Sequence, residues 1–230
     1  MIDDGSTDDT LNVARSYAGK DSRVRVFTQE NKGVSAARNH GIREARGEYM
    51  TLLDSDDWME DDAVEVLLEA QLQHPGRMVA ANFYSVEVSG NGNSFIRLCS
   101  WRKTKPEDLT AEEALSLDKP SVFHFPHAKM YSLSRLREYG LSYSEDVHYG
   151  EDMLFNFRYI VRSGGMFYIS RPCCNVLKRL GSATHIPYSK RKIFAGGKFN
   201  DYIQMMIDDP CNTPTTRRLM KLQHARRMAL

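Results

Sequence analysis

An apolar run, Tyr49-Met-Thr-Leu-Leu, carries the chain into Asp54-Ser-Asp56-Asp57, and this switch from strand-forming residues to clustered carboxylates constrains the fold more than any other stretch. Side chains alternate along a strand, and open α/β sheets collect ligands beyond the carboxyl ends of their strands, so Asp54 and Asp56 fall together in such a crevice. An Asp-x-Asp pair offers hard oxygen ligands; Mg²⁺ or Mn²⁺ takes one or two such carboxylates and completes its shell with substrate phosphate and water. Aspartates also serve turns for purely local reasons, so the neighbouring sequence has to decide. Asp57 either assists an ion through water or caps a helix beginning near Asp61.

The flanking segments alternate as βα units. Ser6 or Thr7 caps a helix with Leu11, Ala14, Tyr17 and Ala18 at helical spacing, and residues 24–28 read as a strand. A helix with Ala36, Ala37, Ile42 and Ala45 follows Gly33 and ends at Arg46-Gly47, before a strand over 49–54. Asp61 and Asp62 open a third helix through Leu68 and Leu72, which His74-Pro75-Gly76 stops. Residues 78–88 are strand-like, with a hairpin turn at 89–93. This order predicts an α/β fold, a three-layer and mostly parallel sheet flanked by helices. Residues 99–150 break into short elements and loops, the composition of an insert that carries binding residues. Met153, Leu154, Phe157, Ile160 and Val161 form the buried stripe of a later helix whose first turn holds Glu151 and Asp152, where acids also suit the helix dipole.

At 230 residues, 41% hydrophobic and 27% charged, the chain has the makings of an ordinary globular core. A net charge of +1 argues against nucleic acid as a partner, so any nucleotide recognition is local. Neither a run of about 18 apolar residues nor a charged-then-apolar leader is visible, and the cytoplasm is the expected compartment. Cys99, Cys173, Cys174 and Cys211 lack C-x-x-C spacing and read as reduced, packed thiols. Residues 215–230 hold five Lys and Arg, no acid, and apolar side chains at Leu219, Met220, Leu222, Ala225, Met228 and Ala229. That stretch reads either as a basic amphipathic helix on an anionic membrane surface or as a helix docked on the body with its charges in solvent.

Three ordered motifs carry a resemblance: Asp3-Asp4-Gly5-Ser6-Thr7-Asp8; Asn31-Lys32-Gly33 with Ala37-Arg38-Asn39-His40-Gly41; and Asp54-Ser55-Asp56. Over roughly residues 1–185 the chain resembles the family 2 glycosyltransferases of the GT-A fold. Lys129-Met130-Tyr131, Gly150-Glu151-Asp152 and Gly181-Ser182-Ala183-Thr184 follow in the order of the branch that builds bacterial surface polysaccharides. The resemblance implies a GT-A domain over 1–186 and a basic helical extension over 187–230. It implies a hexosyltransferase that moves sugar from a nucleotide-diphosphate sugar, a UDP-sugar, to a hydroxyl of a saccharide or lipid-linked saccharide, with inversion and with Mn²⁺ or Mg²⁺ as cofactor. Asp56 and Asp54 would hold the metal. Asp3, Asp4, Gly33, Arg38 and Asp54 would bind the nucleotide sugar, with Asp4 accepting the imide N–H of uracil. Asp152 would be the general base and Glu151 a supporting acceptor contact. Lys129 either meets acceptor or phosphate or stays solvated, and Lys178, Arg179 and His185 are placed to close over the diphosphate. The basic C-terminal helix suggests peripheral contact with the inner face of the membrane.

Departures matter too. Cys174 and Val176 stand where relatives carry tyrosines, which weakens any acceptor contact carried over there. Asp3-Asp4-Gly5-Ser6 corresponds to the end of the family's second strand, so the expectation is a chain lacking the family's first strand and helix, with Met1 an internal codon and residues 1–230 alone poorly soluble and inactive. A non-catalytic remnant or binding module of the same fold is the alternative this raises. Leu52-Leu53-Asp54-Ser55-Asp56 also mimics the nucleophile motif of haloacid-dehalogenase-type phosphatases, but Trp58 stands where that family has Thr or Val. His124 and His127 have ligand-like spacing, but Pro126 and the lack of a third ligand speak against a metal there.

Overall fold

Met78–Val88 and Gly165–Lys178 are the longest strands of the computed structural model, and the rest of the sheet is built on their edges. Residues 1–88, 94–99, 106–116, 123, 125–147, 150–178, 198–209 and 212–229 are described. The first elements are β1 (Ile2–Asp3), α1 (Thr10–Ala18), β2 (Phe27–Thr28), α2 (Val34–Glu44), β3 (Tyr49–Met50), β4 (Trp58–Met59) and α3 (Ala63–Gln73). There follow β5 (Met78–Val88), β6 (Ser94–Cys99), β7 (Glu107–Thr110), α4 (Ala111–Ser116), β8 (Lys129–Ser132) and α5 (Leu133–Glu138). The last are α6 (Glu151–Ser163), β9 (Gly165–Lys178), α7 (Lys198–Asp208) and α8 (Pro214–Ala229).

β5 and β9 run parallel, with a register irregularity around Asn82. β8 and then β6 pair antiparallel with successive halves of β5, while β7 and β4 do the same along β9. β8 also pairs with β3, so it lies antiparallel between β3 and β5. β1 and β2 form a separate parallel pair. Alternation along the central strands divides the core in two. Met78, Ala80, Tyr131, Met166 and Tyr168 face one cluster with α4, α6, α7 and α8, and Val79, Ala81, Met130 and Ile169 face the other, against α3. The expected three-layer α/β arrangement follows directly, because each sheet face buries apolar side chains that only a helix layer can cover.

Several boundaries differ from the sequence expectations. The strand expected over 24–28 is only β2, and the one over 49–54 stops at Met50, because among the described residues β3 meets only Tyr131 and Ser132 of β8. The first helix is preceded by Asp9, not capped by Ser6 or Thr7, and its stripe is shallow: Tyr17 is 54% exposed. Asp62 precedes α3 but makes no capping bond; it pairs with Arg171 instead. The expected hairpin strands form as β5 and β6, while 89–93 lie outside the described residues. α6 is buried nearly all round, taking in Phe155, Asn156 and Tyr159 beyond the expected stripe, as a helix between layers requires. Ile203, Met206 and Ile207 of α7 and Met220 of α8 join the same core as α6, and Arg218 and Lys221 face solvent. No helix among the described residues is long and apolar enough to cross a membrane.

Candidate active site

Beyond β3 the chain enters a turn in which the Asp57 N–H donates to the Asp54 carbonyl at 3.1 Å. The far side of the turn is fastened to β9: β4 pairs with Cys174 and Asn175, and the Asp57 carboxylate accepts the Leu177 N–H at 3.0 Å. Asp57 therefore braces the turn from inside, its side chain 4% exposed, and caps no helix. Asp54 keeps 42% of its side-chain surface and Asp56 is half-buried, so both remain reachable. Among the described residues no three such side chains converge as a ready-made cage. Two hard carboxylates on one turn still fit Mg²⁺ or Mn²⁺, whose remaining ligands would be phosphate oxygens and water.

α2 connects this turn to the rest of the site. At its start, Gly33 adopts φ 87°, and its N–H donates to Asp4 at 2.8 Å; the Lys32 N–H and Gln29 side chain occupy the other Asp4 oxygen at 3.0 and 2.8 Å. Nothing would obstruct a Cβ at Gly33, so the positive φ alone calls for glycine there. Asp3 is buried, accepting from Ser6 and Thr28, and hydrogen bonding from Ser6 and then Thr28 holds its carboxyl below the usual range. Both aspartates thus order the β1 turn, and Asp4 gives two backbone donors a partner at a helix entrance that would otherwise lack one.

Further along α2, Arg38 reaches across the fold. One terminal nitrogen donates to Asp152 at 2.9 Å and lies 3.6 Å from Glu151; the other donates to both Asp54 oxygens at 3.1 and 3.3 Å. Its side chain is 9% exposed, and the Tyr143 ring lies beneath it at 5.3 Å. Asn39, the next residue, exchanges hydrogen bonds with the Tyr143 backbone at 2.9 and 2.7 Å and so ties α2 to the loop leading into α6. Gly150, at φ 93°, starts α6 and leaves Glu151 and Asp152 in its first turn. Sequence reasoning missed Tyr143 and gave Asn39 no role; the Asn within the Ala-Arg-Asn motif was the available signal.

Burial, opposed by Arg38 and reinforced by Glu151 and Asp54, raises the Asp152 carboxyl to about 7. A carboxylate in that range combines a usable basic form at neutral pH with appreciable proton affinity, as a general base needs. Lys129 differs from both expectations. It is 2% exposed and donates to the Phe125 and His127 carbonyls at 2.7 and 3.2 Å, so it is neither solvated nor open to substrate. Burial lowers its ammonium to about 7 against the opposing pull of Asp152. His127 packs on Phe83 and Phe125 with its ring 3.8 Å from Asp57, and burial drives its pKa well below the ordinary value, so it is a neutral core side chain. Lys178 pairs with Glu87 across β5 and β9 at 2.7 Å. Burial pushes the Cys173 and Cys174 thiols up to about 11 and 12. His124, Arg179, 181–184, His185 and Cys211 lie outside the described residues.

A putative glycosyltransferase of Bacillus subtilis, EpsH, is 29% identical over 200 residues, which is 86% of this chain and 56% of EpsH. EpsJ of the same organism, an uncharacterized glycosyltransferase, is 28% identical over 82% of this chain and 54% of its own length. The chain thus spans about half the length of these curated relatives. Among solved structures, S. aureus TarS 1-349 in complex with UDP superposes with a TM-score of 0.73 at 18% identity, over 100% of this chain and 62% of that one. The same TarS segment with UDP-GlcNAc gives 0.69 at 20% identity, covering 93% and 57%. These likenesses establish a common α/β fold of the GT-A type. The family model Glycosyl transferase family 2 matches residues 1–140, the stretch that holds Asp3, Asp4, Gly33, Arg38, Asp54 and Asp56, and the chain belongs to that family.

Proposed function

We propose that this protein transfers a sugar from a UDP-sugar to a hydroxyl group of a saccharide or lipid-linked saccharide, with a divalent cation and with inversion, in the synthesis of a polysaccharide or glycolipid. One observation carries the reading: Asp54, on the turn after β3, and Asp152, on the first turn of α6, meet on a single guanidinium. Glycosyl transfer needs a carboxylate to manage the leaving diphosphate and another to take the acceptor proton, held close enough to act together. The TarS structures in complex with UDP and with UDP-GlcNAc support a uridine nucleotide as donor.

Asp3, Asp4 and Gly33 form the nucleotide end in this reading, and Asp54 and Asp56 would hold Mg²⁺ or Mn²⁺ beside the diphosphate. That ion would neutralise charge gathering on the leaving oxygen. Asp152 receives the proton of the acceptor hydroxyl while the hydroxyl oxygen bonds to the anomeric carbon and the bond to the diphosphate breaks. In this reading Asp152 acts only as base and Glu151 only supports, neither attacking the sugar, so a single displacement inverts the anomeric centre. Glu151 supports the acceptor. The same reading puts the enzyme in the cytoplasm at the membrane face, with exposed Arg218 and Lys221 of α8 turned toward anionic lipid.

UDP is expected to stabilise the protein only when Mn²⁺ or Mg²⁺ is present, by about 2.7 kcal/mol at a hundredfold excess over Kd. Thermal melts with UDP plus metal, with UDP plus EDTA, and on Asp56→Ala measure this. Equal stabilisation in EDTA, or an undiminished shift in Asp56→Ala, would rule out a metal-bridged diphosphate.

A further inference from the structure

Residues 51–57 join β3 to β4 and belong to no strand, yet they carry both carboxylates of the proposed cation site. A segment without a ladder takes its shape from the points where it is fastened. At its near end Tyr49 and Met50 pair with β8. At its far end Trp58 and Met59 pair with Asn175 and Cys174, the Glu60 N–H donates to the Cys173 carbonyl at 3.2 Å, and the Asn175 amide donates to Glu60 at 2.5 Å. Between these ends Asp57 ties the turn both to itself and to β9. Its N–H donates to the Asp54 carbonyl at 3.1 Å, and its carboxylate accepts the Leu177 N–H at 3.0 Å. Leu177 stands opposite Val86 in the β5–β9 ladder, so that donor belongs to a long strand which cannot drift with the turn.

An acid beside an Asp-x-Asp pair can serve a cation in two ways, through a bound water or by fixing the ligands themselves. The first requires a face open to that water. Asp57 is 4% exposed, with one oxygen on the Leu177 N–H and the other 3.8 Å from the His127 ring, whereas Asp54 keeps 42% of its side-chain surface. The second suits the geometry, because Mg²⁺ accepts oxygens only at about 2.0–2.1 Å in near-octahedral array, and two like charges on one turn push apart until something holds them. We propose that Asp57 is a positioning residue for the cation: by bonding the Leu177 N–H it holds Asp54 and Asp56 at the separation an ion needs, and it touches neither the ion nor its water. This rests on the reading of Asp54 and Asp56 as the metal pair. The same bond links two distant parts of the chain. A cation and diphosphate that bind best to a turn already in place must strengthen the Asp57–Leu177 bond by the factor with which that bond strengthens their own binding.

Electron paramagnetic resonance of free Mn²⁺ at a fixed concentration of UDP gives the Kd of the cation for the wild-type protein, Asp57→Ala, Asp57→Asn and Asp56→Ala. Asparagine keeps an oxygen for the Leu177 N–H but not the charge. Asp57→Ala is expected to weaken Mn²⁺ binding by about 10–100-fold, and Asp57→Asn to stay within about threefold of wild type. In the wild-type protein, Mg²⁺ with UDP is expected to slow hydrogen exchange of the Leu177 amide, followed by NMR, by about tenfold, a measurement that covers the case in which Asp57→Ala does not fold. A loss in Asp57→Asn as large as that in Asp57→Ala would make the charge, acting through water, the contribution of Asp57 and overturn the brace. Wild-type affinity in Asp57→Ala, or a Leu177 exchange rate unmoved by Mg²⁺ and UDP, would overturn it as well. Undiminished Mn²⁺ binding in Asp56→Ala would instead sink the metal pair, and the brace with it, whereas a negative result at Asp57 alone leaves that pair standing.

Discussion

Asp152→Asn is expected to lower turnover of the UDP-sugar by about 10²–10⁴-fold while leaving the affinity for UDP and Mn²⁺ within about threefold. The amide keeps the size and Arg38-facing oxygen of the carboxylate but cannot take the acceptor proton, so the loss appears in kcat. UDP release in the presence of acceptor, set beside UDP calorimetry, measures both; comparable turnover in the variant would remove Asp152 from the mechanism. The same substitution is expected to stabilise the fold. Asp152 has an ordinary value of 3.8 and is raised to about 7 here, so the native protein binds more protons than the unfolded chain between these values. Its ionisation therefore costs nothing below that window and its full amount above it. Asparagine removes the cost, and the variant should melt above wild type at pH 8 and with it near pH 4. A melting temperature at or below wild type at pH 8 would show that the Arg38 contact outweighs burial. A catalytic group that weakens its own fold is a familiar exchange of stability for activity.

The other large effect lies at the foot of the sheet. Gly165 begins β9 at φ 151°, and a Cβ there would stand 2.0 Å from the Leu109 carbonyl oxygen and 2.4 Å from an Arg77 nitrogen. Leu109 belongs to β7, which pairs with this part of β9, and the Ala111 N–H at the start of α4 bonds to the Gly164 carbonyl. Gly165→Ala must push β7 off β9 or bend the central strand, and should cost about 3 kcal/mol or more. For a chain of this length that is a fall of roughly 6–12 °C in Tm. Gly140→Ala is the control: it shares a positive φ of 59° but meets nothing within 4 Å, so only the backbone strain of about 1–2 kcal/mol is expected. Equal melting temperatures for the two variants would show that the β7 contact is not a fixed part of the fold.

What could be read from the sequence was whatever adjacent residues enforce on one another. The helix after Gly33 and the α6 stripe behind Gly150 each follow from short-range periodicity and turn chemistry, and both stand in the structure, while the strand expected into Asp54 is kept only at Tyr49–Met50. Strand lengths were less legible because a ladder needs a partner: residues 51–54 have the composition of a strand, yet β8 offers β3 only two positions. Asp57 likewise looked like a metal helper or a cap until β9 brought Leu177 to it, 120 residues later in the chain.

The sequence on its own determined the family, the α/β class and the residue types available to a site: acids in turns, an arginine one helix away, acids at a helix start. Only the tertiary structure decided which of them meet. Arg38 and Asp152 are 114 residues apart, and their contact depends on α2 and α6 being brought to one place by the layers of the sheet. The burial of Lys129 is decided in the same way, since from the sequence it either meets substrate or stays solvated, until β3 and β5 pair on either side of β8. Charge and burial are properties of surroundings, so a motif can supply a carboxylate while the fold alone decides whether it becomes a base, a strut or a ligand.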